Sequence, residues 1–398
     1  MTVVSTAAQS PAALHLQVAE RAARTPTTVA MRAKKLGIWQ QTSWAELDRE
    51  RRLIAHGLAD LGVGAGDRVA VLAGNRPEWV YAELGAMSLR ARFVGVHPEA
   101  AGPALEQLLN EAAVRVLIAE DQEQVDKALG TGCPRLRWIV HLEARGVQEY
   151  SDPRLISYAA LRERGSAHRA ELPDHDSSAE DVVALAFPPG ESVAVQLRGS
   201  DITTVLNALR AAIPGLGARD VVLPGLSLAE PAERAVTVWT CVATGAVLHF
   251  AESYDTLAAD LAEAQPTVRL LPAAGWQRAH AGVESRMATA SRFKRFCYGL
   301  TTSTAERIAA QRNRGPLARL RSTLGYLASG RAVRDKLGLR KTRAALWRIA
   351  IPGTALPPDI PPDADTAAFF LGLGVPITRI EAARTEAADP PENSDVPV

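Results

Sequence analysis

The sequence predicts an α/β protein, with two adjacent subdomains of β-sheets flanked by helices. Short apolar runs bounded by Gly, Asp or Asn, such as Arg68–Ala73 (RVAVLA), mark buried parallel strands. Segments with helical spacing alternate with these runs, the pattern of right-handed crossovers. The 398 residues, 47% hydrophobic and 22% charged, suffice for a large buried core.

Taken in order, residues 13–24 (ALHLQVAERAAR) are spaced for a short helix. Gly37–Trp44 reads as a strand and turn leading into a helix at Trp44–Leu61. Ser43 caps that helix, and Glu46 three residues on completes a capping box. Gly62-Val63-Gly64-Ala65-Gly66 precedes a strand instead of following one. It is therefore a helix-to-strand turn and not a dinucleotide fingerprint. After strand 68–73 come a helix from about Trp79, a strand at Phe93–Val96, a helix at Leu105–Ala112 and a strand at Val114–Ala119. A helix at Asp126–Leu129 and a strand at Trp138–His141 follow. The polar stretch Arg164–Glu180 reads as a linker and divides the chain into subdomains 1–175 and 176–386. Beyond it, strands are expected at Val182–Phe187, Asp220–Pro224, Ala246–Phe250, Val268–Leu271, Leu346–Ile351 and near Pro376–Ile380. Helices are expected at about Ile202–Ala212, Arg234–Val242 and Leu257–Ala264, with a basic helical insertion at 286–345. The Pro- and acid-rich tail 387–398 reads as disordered.

Composition excludes several classes. Net charge is +1, so no global field selects a partner. No run of 18 apolar residues is present, and the first residues lack the basic and apolar regions of a secretory signal. The expected location is cytoplasmic, with peripheral membrane contact as a further option. Cys133, Cys241 and Cys297 have no metal spacing and read as free thiols. P-loop, H-E-x-x-H, G-x-S-x-G and C-x-x-C motifs are absent. His97, His249 and His280 are expected to pack or lie at the surface rather than bind metal. Charge is nevertheless uneven: Arg286–Arg348 holds sixteen Lys/Arg and two acids. Arg319, Arg321, Arg331, Arg334 and Lys336 are expected on a basic surface of solvated amphipathic helices. That surface suits contact with anionic lipid or an acidic partner; nucleic acid is disfavoured because no aromatic pattern accompanies the charge.

Several stretches together carry a family resemblance: GIWQQTSWAEL at 37–47, LGVGAGDRVAVLAGNRPEWV at 61–80, RVLIAEDQEQVDKAL at 115–129 and GAVLHFAESYDTLAADLAEAQPTV at 245–268. The chain resembles long-chain fatty acyl-CoA synthetases of the adenylate-forming superfamily across nearly its whole length. Trp276 sits at that family's P-R-V-W motif, and Leu373–Glu386 (LGVPITRIEAARTE) aligns with its stretch ending in Y-G-L-T-E. The resemblance implies a two-subdomain fold. The family continues well past the end of this sequence, so the C-terminal lid domain, with its catalytic Lys, is expected to be absent.

The departures fall on the motifs that hold nucleotide. The family's phosphate loop, Y-T-S-G-T-T-G-x-P-K-G, is represented by FPPGES within DVVALAFPPGESVAVQLRGSDI at 181–202. Gly190 remains, Pro188 and Pro189 remove N–H donors, Glu191 adds a negative charge, Ser192 takes a Thr position, and no Lys is present. Arg198 is the nearest candidate cation in sequence, but it aligns past the loop. In LSLAEPAER (226–234), Glu230 replaces the family's His. PGTALP (352–357) keeps Gly353 of the adenine-contacting S-G-G-A-P-L motif. Ala382 and Ala383 replace the aromatic-Gly pair before Thr385 and Glu386. The degenerate pocket is thus expected at Gly190, Ser192, Glu230, Gly353, Thr385 and Glu386, with Glu230 facing Glu191. No metal site is assigned, Glu386 being at most a weak magnesium candidate.

The expected function is that of a catalytically impaired acyl-CoA synthetase-like protein, a pseudoenzyme with a regulatory, scaffold or acyl-binding role in fatty acid metabolism. Its partner would be an active acyl-CoA synthetase, another lipid enzyme or a second copy of itself. The alternative is a divergent long-chain fatty acid–CoA ligase working through acyl-AMP. ATP and magnesium are implied only under that alternative.

Overall fold

The computed structural model describes residues 13–168, 171–172, 179–187, 194–292, 295–296, 298, 330–352, 354 and 360–382. The chain begins with α1 (Leu14–Arg24), a hairpin of β1 (Val29–Lys35) and β2 (Ile38–Ser43), and α2 (Trp44–Asp60). There follow β3 (Arg68–Leu72), α3 (Pro77–Ser88), β4 (Arg92–Val96), α4 (Gly102–Glu111), β5 (Val116–Ala119), α5 (Gln122–Leu129), β6 (Trp138–His141), β7 (Leu155–Ser157) and α6 (Tyr158–Ala167). Next come β8 (Val182–Ala186), β9 (Val195–Arg198), α7 (Gly199–Ala212), β10 (Val221–Val222), α8 (Pro231–Arg234), a π-helical turn at Ala235–Trp239, and α9 (Thr240–Thr244). The remainder is β11 (Val247–Phe250), α10 (Leu257–Ala264), β12 (Val268–Leu270), α11 (Ala273–Ala288), α12 (Arg331–Lys336), β13 (Ala344–Ile349), α13 (Ala364–Gly372) and β14 (Ile377–Ile380).

These strands make two seven-stranded sheets, ordered β7-β6-β5-β3-β4-β8-β9 and β14-β13-β12-β10-β11-β1-β2. Each is parallel except for one antiparallel strand at an edge, β9 on β8 and β2 on β1. The sheets do not divide at the linker expected near residue 175. β8 and β9 complete the first sheet, whereas β1 and β2, from the start of the chain, complete the second. Each half of the sequence thus supplies a hairpin to the other half's sheet. The linker itself is shorter than Arg164–Glu180, because α6 runs to Ala167 with Ser157 as its N-cap.

The main core lies between the sheets. Val69, Val71 and Phe93 of the first sheet join Met31, Leu248 and Phe250 of the second in one buried cluster, with Trp44, Ile54 and Trp79 from α2 and α3. The capping box at the head of α2 is present, with Glu46 N–H donating to Ser43 and Ser43 N–H donating to Glu46 at 2.8 Å. Such a cap is worth about 1 kcal/mol. The Gly62–Gly66 turn connects α2 to β3, with Gly62 and Gly66 at positive φ. A separate cluster under the second sheet holds Trp276, Phe369 and Phe370, and Trp276 Nε1 donates to Leu346 O at 3.0 Å.

Candidate active site at the carboxyl ends of the strands

In open α/β sheets, ligands bind in the crevice outside the carboxyl ends of the strands. Here the ends of β3, β4 and β5 meet the loops leaving β10 and β11. The sequence Gly74-Asn75-Arg76-Pro77-Glu78-Trp79 builds the first wall. Asn75 clasps the opposite loop with both ends of its amide, donating to Leu226 O at 2.7 Å and accepting from Leu228 N at 2.8 Å. Arg76 bridges Glu78, Glu120 and Glu143 at 2.8, 3.0 and 3.3 Å. Pro77 starts α3, where a missing N–H costs nothing. Trp79 is buried and donates to Gly74 O at 2.8 Å.

The second wall is the helical run Pro231–Thr244, interrupted by the π-helical turn. It carries a Glu-Arg pair, Glu233 and Arg234, entirely out of solvent. Arg234 crosses to the first sheet. Its guanidinium lies 5.3 Å from the Phe93 ring centre and 5.8 Å from that of Trp239, and its Nε is 3.5 Å from Glu83 of α3. Glu83 also accepts from Trp239 Nε1 at 3.0 Å. Burial pushes both groups of this pair towards their neutral forms. A guanidinium does not give up its proton, so Glu83 is its counter-charge. Gly95 makes this crossing possible: a Cβ there would lie 2.6 Å from Arg234 Nη1 and 2.9 Å from Ala229 Cα.

Glu233 points elsewhere. It accepts from Gly225 N at 3.1 Å, and burial pushes its pKa up to about 8, against bonds from the Gly225 and Leu226 N–H groups and the charge of Arg269. Arg269, also deeply buried, donates to Leu337 O at 3.1 Å and lies over the Trp276 ring. A buried carboxyl with a raised pKa beside a cleft is a frequent mark of a functional site.

Above this floor is a cleft of about 220 Å³ lined by Gly74, Asn75, Glu120, Pro224, Glu252 and Tyr254, among others. No Lys or Arg lines it among the described residues. Its carboxylates already hold backbone N–H groups. Glu120 accepts from Gly74 N at 2.6 Å, and Glu252 accepts from Leu36 N and Gly37 N at 2.6 and 3.0 Å. At the end of β4, His97 Nε2 meets Glu230 Oε1 at 3.0 Å. That bond holds the imidazole pKa above its ordinary value, against partial burial.

Of the expected pocket residues, Glu230 is placed at this edge, as the N-cap position of α8. Its partner is His97. Glu191, Gly190, Ser192, Gly353, Thr385 and Glu386 lie outside the described residues, as do Arg319, Arg321, Cys297 and the tail 387–398. Most of the basic insertion 286–345 does too. Arg331 and Lys336 are exposed on α12. Arg334 is not part of that surface: its guanidinium turns inward onto the carbonyls of Leu339, Arg340, Thr342 and Leu373. Arg198 lies past the loop, as its alignment implies. It pairs with Val182, at the start of β8, while the loop leaves from Ala186, which pairs with Val195. At about 3.3 Å per residue, the Arg198 backbone is some 10 Å along β9 from the Ala186–Val195 pair. His249 is buried against Trp39, and His280 stacks on Phe369. Among the described residues no group of three or more His, Cys, Asp or Glu is arranged to hold a metal ion. No helix there is long and apolar enough to cross a membrane.

Sequence comparison decides the family. The AMP-binding enzyme profile matches residues 18–349. The chain belongs to the AMP-binding enzyme family. Among curated AMP-binding relatives, it is 23% identical to the long-chain-fatty-acid–CoA ligase ACSBG2 of Rattus norvegicus, over 93% of this chain and 56% of that one. It is 26% identical to the long-chain-fatty-acid–CoA ligase FadD15 of Mycobacterium tuberculosis (strain ATCC 25618 / H37Rv), over 86% of this chain and 55% of that one. This family member therefore spans about half the length of these relatives. Its fold is similar to the A-PCP didomain of carboxylic acid reductase from Segniliparus rugosus, solved with AMP. The TM-score is 0.67 at 16% identity, covering 95% of this chain and 54% of that one.

Proposed function

We propose that this protein keeps the acyl-CoA synthetase frame without the adenylation reaction, and acts in fatty acid metabolism as a regulatory or scaffold partner or an acyl-binding protein. The observation that carries this reading is the β8–β9 loop, where FPPGES stands in the place of a phosphate cradle. Such a cradle needs free backbone N–H groups, small residues and a cation. Pro188 and Pro189 have no N–H, and Glu191 repels triphosphate.

The neighbouring strand ends support the same reading. The N–H groups of Gly74 and Gly225, both glycines able to approach an anion, are already bonded to Glu120 and Glu233. Among the described residues, the cleft offers a magnesium triphosphate no Lys or Arg. What the described residues do is hold two sheets in register through Asn75, Glu83 and Arg234. That arrangement suits a rigid platform for a partner or an apolar chain.

The names of the matched relatives favour a second reading, a divergent long-chain fatty acid–CoA ligase. It requires a cation near the loop, and the register of β9 takes Arg198 away from that role. ATP–pyrophosphate exchange with purified protein, magnesium and a panel of C8–C18 fatty acids separates the two. The expected result is exchange no greater than a blank without lipid. Fatty-acid-dependent exchange would establish adenylation and replace the first reading with the second.

A further inference from the structure

The opposite edge of the second sheet carries a surface of different chemistry. α9 ends there, just before β11 begins, and side chains from the last turns of α1 and α7 reach its carbonyls. Arg21, near the end of α1, donates from Nε to Val242 O at 2.7 Å and from Nη2 to Ala243 O at 3.0 Å. Arg210, near the end of α7, donates from Nη2 to the same Ala243 O at 3.1 Å. Two guanidinium groups therefore share one carbonyl. Arg24, almost one turn beyond Arg21, lines the same concavity, whose volume is about 260 Å³. Among the described residues Glu20 is the one carboxylate in its lining, and Arg24 holds it at 3.0 Å.

Helix capping explains part of this arrangement, since a cation at a helix C-terminus is favourable. It does not explain all of it. Arg21 alone satisfies the last carbonyls of α9, so Arg210 adds a second positive charge to an acceptor already in use. Arg24 adds a third, with its side chain 75% exposed. Burial draws the Arg21 pKa down, and the charges of Arg24 and Arg210 add to that effect against Cys241 and Glu20. The fold also makes room for the cluster. Gly245 has φ +83°, and a Cβ there would lie 2.7 Å from Arg21 Nη1. Three guanidinium groups around one open hollow, with a single carboxylate between them, are short of negative charge.

We propose that this hollow binds a phosphate group, with Arg21 as the half-buried anchor and Arg24 and Arg210 as the arms that close on it. Guanidinium N–H forks match phosphate oxygens in pairs, and a charge-assisted bond is about twice as strong as a neutral one. The site is separate from the strand-end cleft and lies at the far end of the Pro231–Thr244 run from Glu230. A nucleotide held here would give no pyrophosphate exchange, so this inference and the adenylation reading fail independently.

The test is a calorimetric titration with inorganic pyrophosphate at constant ionic strength, on wild type and on the Arg24→Ala/Arg210→Ala variant. A second arm measures co-sedimentation with phosphatidic acid vesicles against phosphatidylcholine vesicles. The proposal expects saturable binding in wild type, weakened at least about tenfold for each arginine removed, with partial recovery in Arg24→Lys. Binding to soluble pyrophosphate identifies a free phosphate ligand. Binding to phosphatidic acid vesicles alone, lost in the double variant, identifies a lipid headgroup. If the double variant melts early, the single Arg24→Ala change carries the test, because that side chain is exposed. No saturable binding in either arm, or equal binding in the variants, overturns the proposal.

Discussion

The floor of the strand-end cleft and its rim are made of the same residue types used in opposite ways. On the floor, Glu83, Arg234, Glu233 and Arg269 are buried, and each meets a specific partner. On the rim, Glu230 and His97 pair while still partly exposed, and Glu120 and Glu252 line the cleft while accepting from backbone N–H groups. Charge on the floor holds the two sheets together. Charge on the rim is engaged with backbone N–H groups and with His97. Substitutions on the rim should therefore leave the fold intact, whereas substitutions on the floor should not.

The largest effect is expected on the floor. Glu83→Ala leaves the Arg234 guanidinium without a buried counter-charge and should cost about 3–5 kcal/mol in denaturant unfolding. A loss below about 1 kcal/mol would mean that the floor and rim do not differ as described. Glu233 should show itself through pH. Its folded pKa, about 8, lies above the ordinary carboxyl value, so the folded state binds the extra proton. Its contribution to stability is therefore full below the ordinary value and is lost as pH rises towards about 8, at up to about 1.4 kcal/mol per pH unit. Glu233→Gln should flatten that slope, as read from melts at a series of pH values. A slope of the same size in the variant would assign it to other groups.

Asn75→Ala removes both bonds between the facing loops and should cost about 1–3 kcal/mol, with accelerated hydrogen exchange at the Leu228 amide. The smallest effect is expected on the rim, where Glu230→Gln should cost less than about 1 kcal/mol. The His97 pKa, followed by NMR, should then fall towards the ordinary imidazole value. In wild type the pair contributes most below that value and is lost as pH rises through the raised one. An unchanged His97 titration in Glu230→Gln would show that the rim pair is not coupled.

How much of this was legible in the sequence differs along the same line. RVAVLA, WIVH and LAADLAEA announce β3, β6 and α10 because those elements bury continuous or periodic apolar surface. β1 was missed because VAMRAKK shows three cations. Lys34 is in fact neutralised by Asp260 and Glu263, both at 2.8 Å and from far along the chain. β9 and α6 were missed for a related reason: each is short or polar, and packing decides its state. The exchange of hairpins between the two halves leaves no local trace at all. In the site, the departures of FPPGES from the family's phosphate loop rest on the sequence alone, since residues 188–193 lie outside the described residues. The partnership of His97 with Glu230 was not legible there, because 133 residues separate them and the sheet alone brings them together. Arg334 shows the converse, a residue assigned to the surface by its neighbours in sequence and turned inward by four carbonyls.

The central claim is that the frame remains while the grip on ATP is gone. The most direct measurement is a calorimetric titration of magnesium-ATP into the Arg24→Ala/Arg210→Ala protein, which removes the remote phosphate hollow as a source of heat. The account predicts no saturable binding in the micromolar range. Saturable micromolar binding of ATP in that variant would place a working nucleotide site in the strand-end cleft and contradict it.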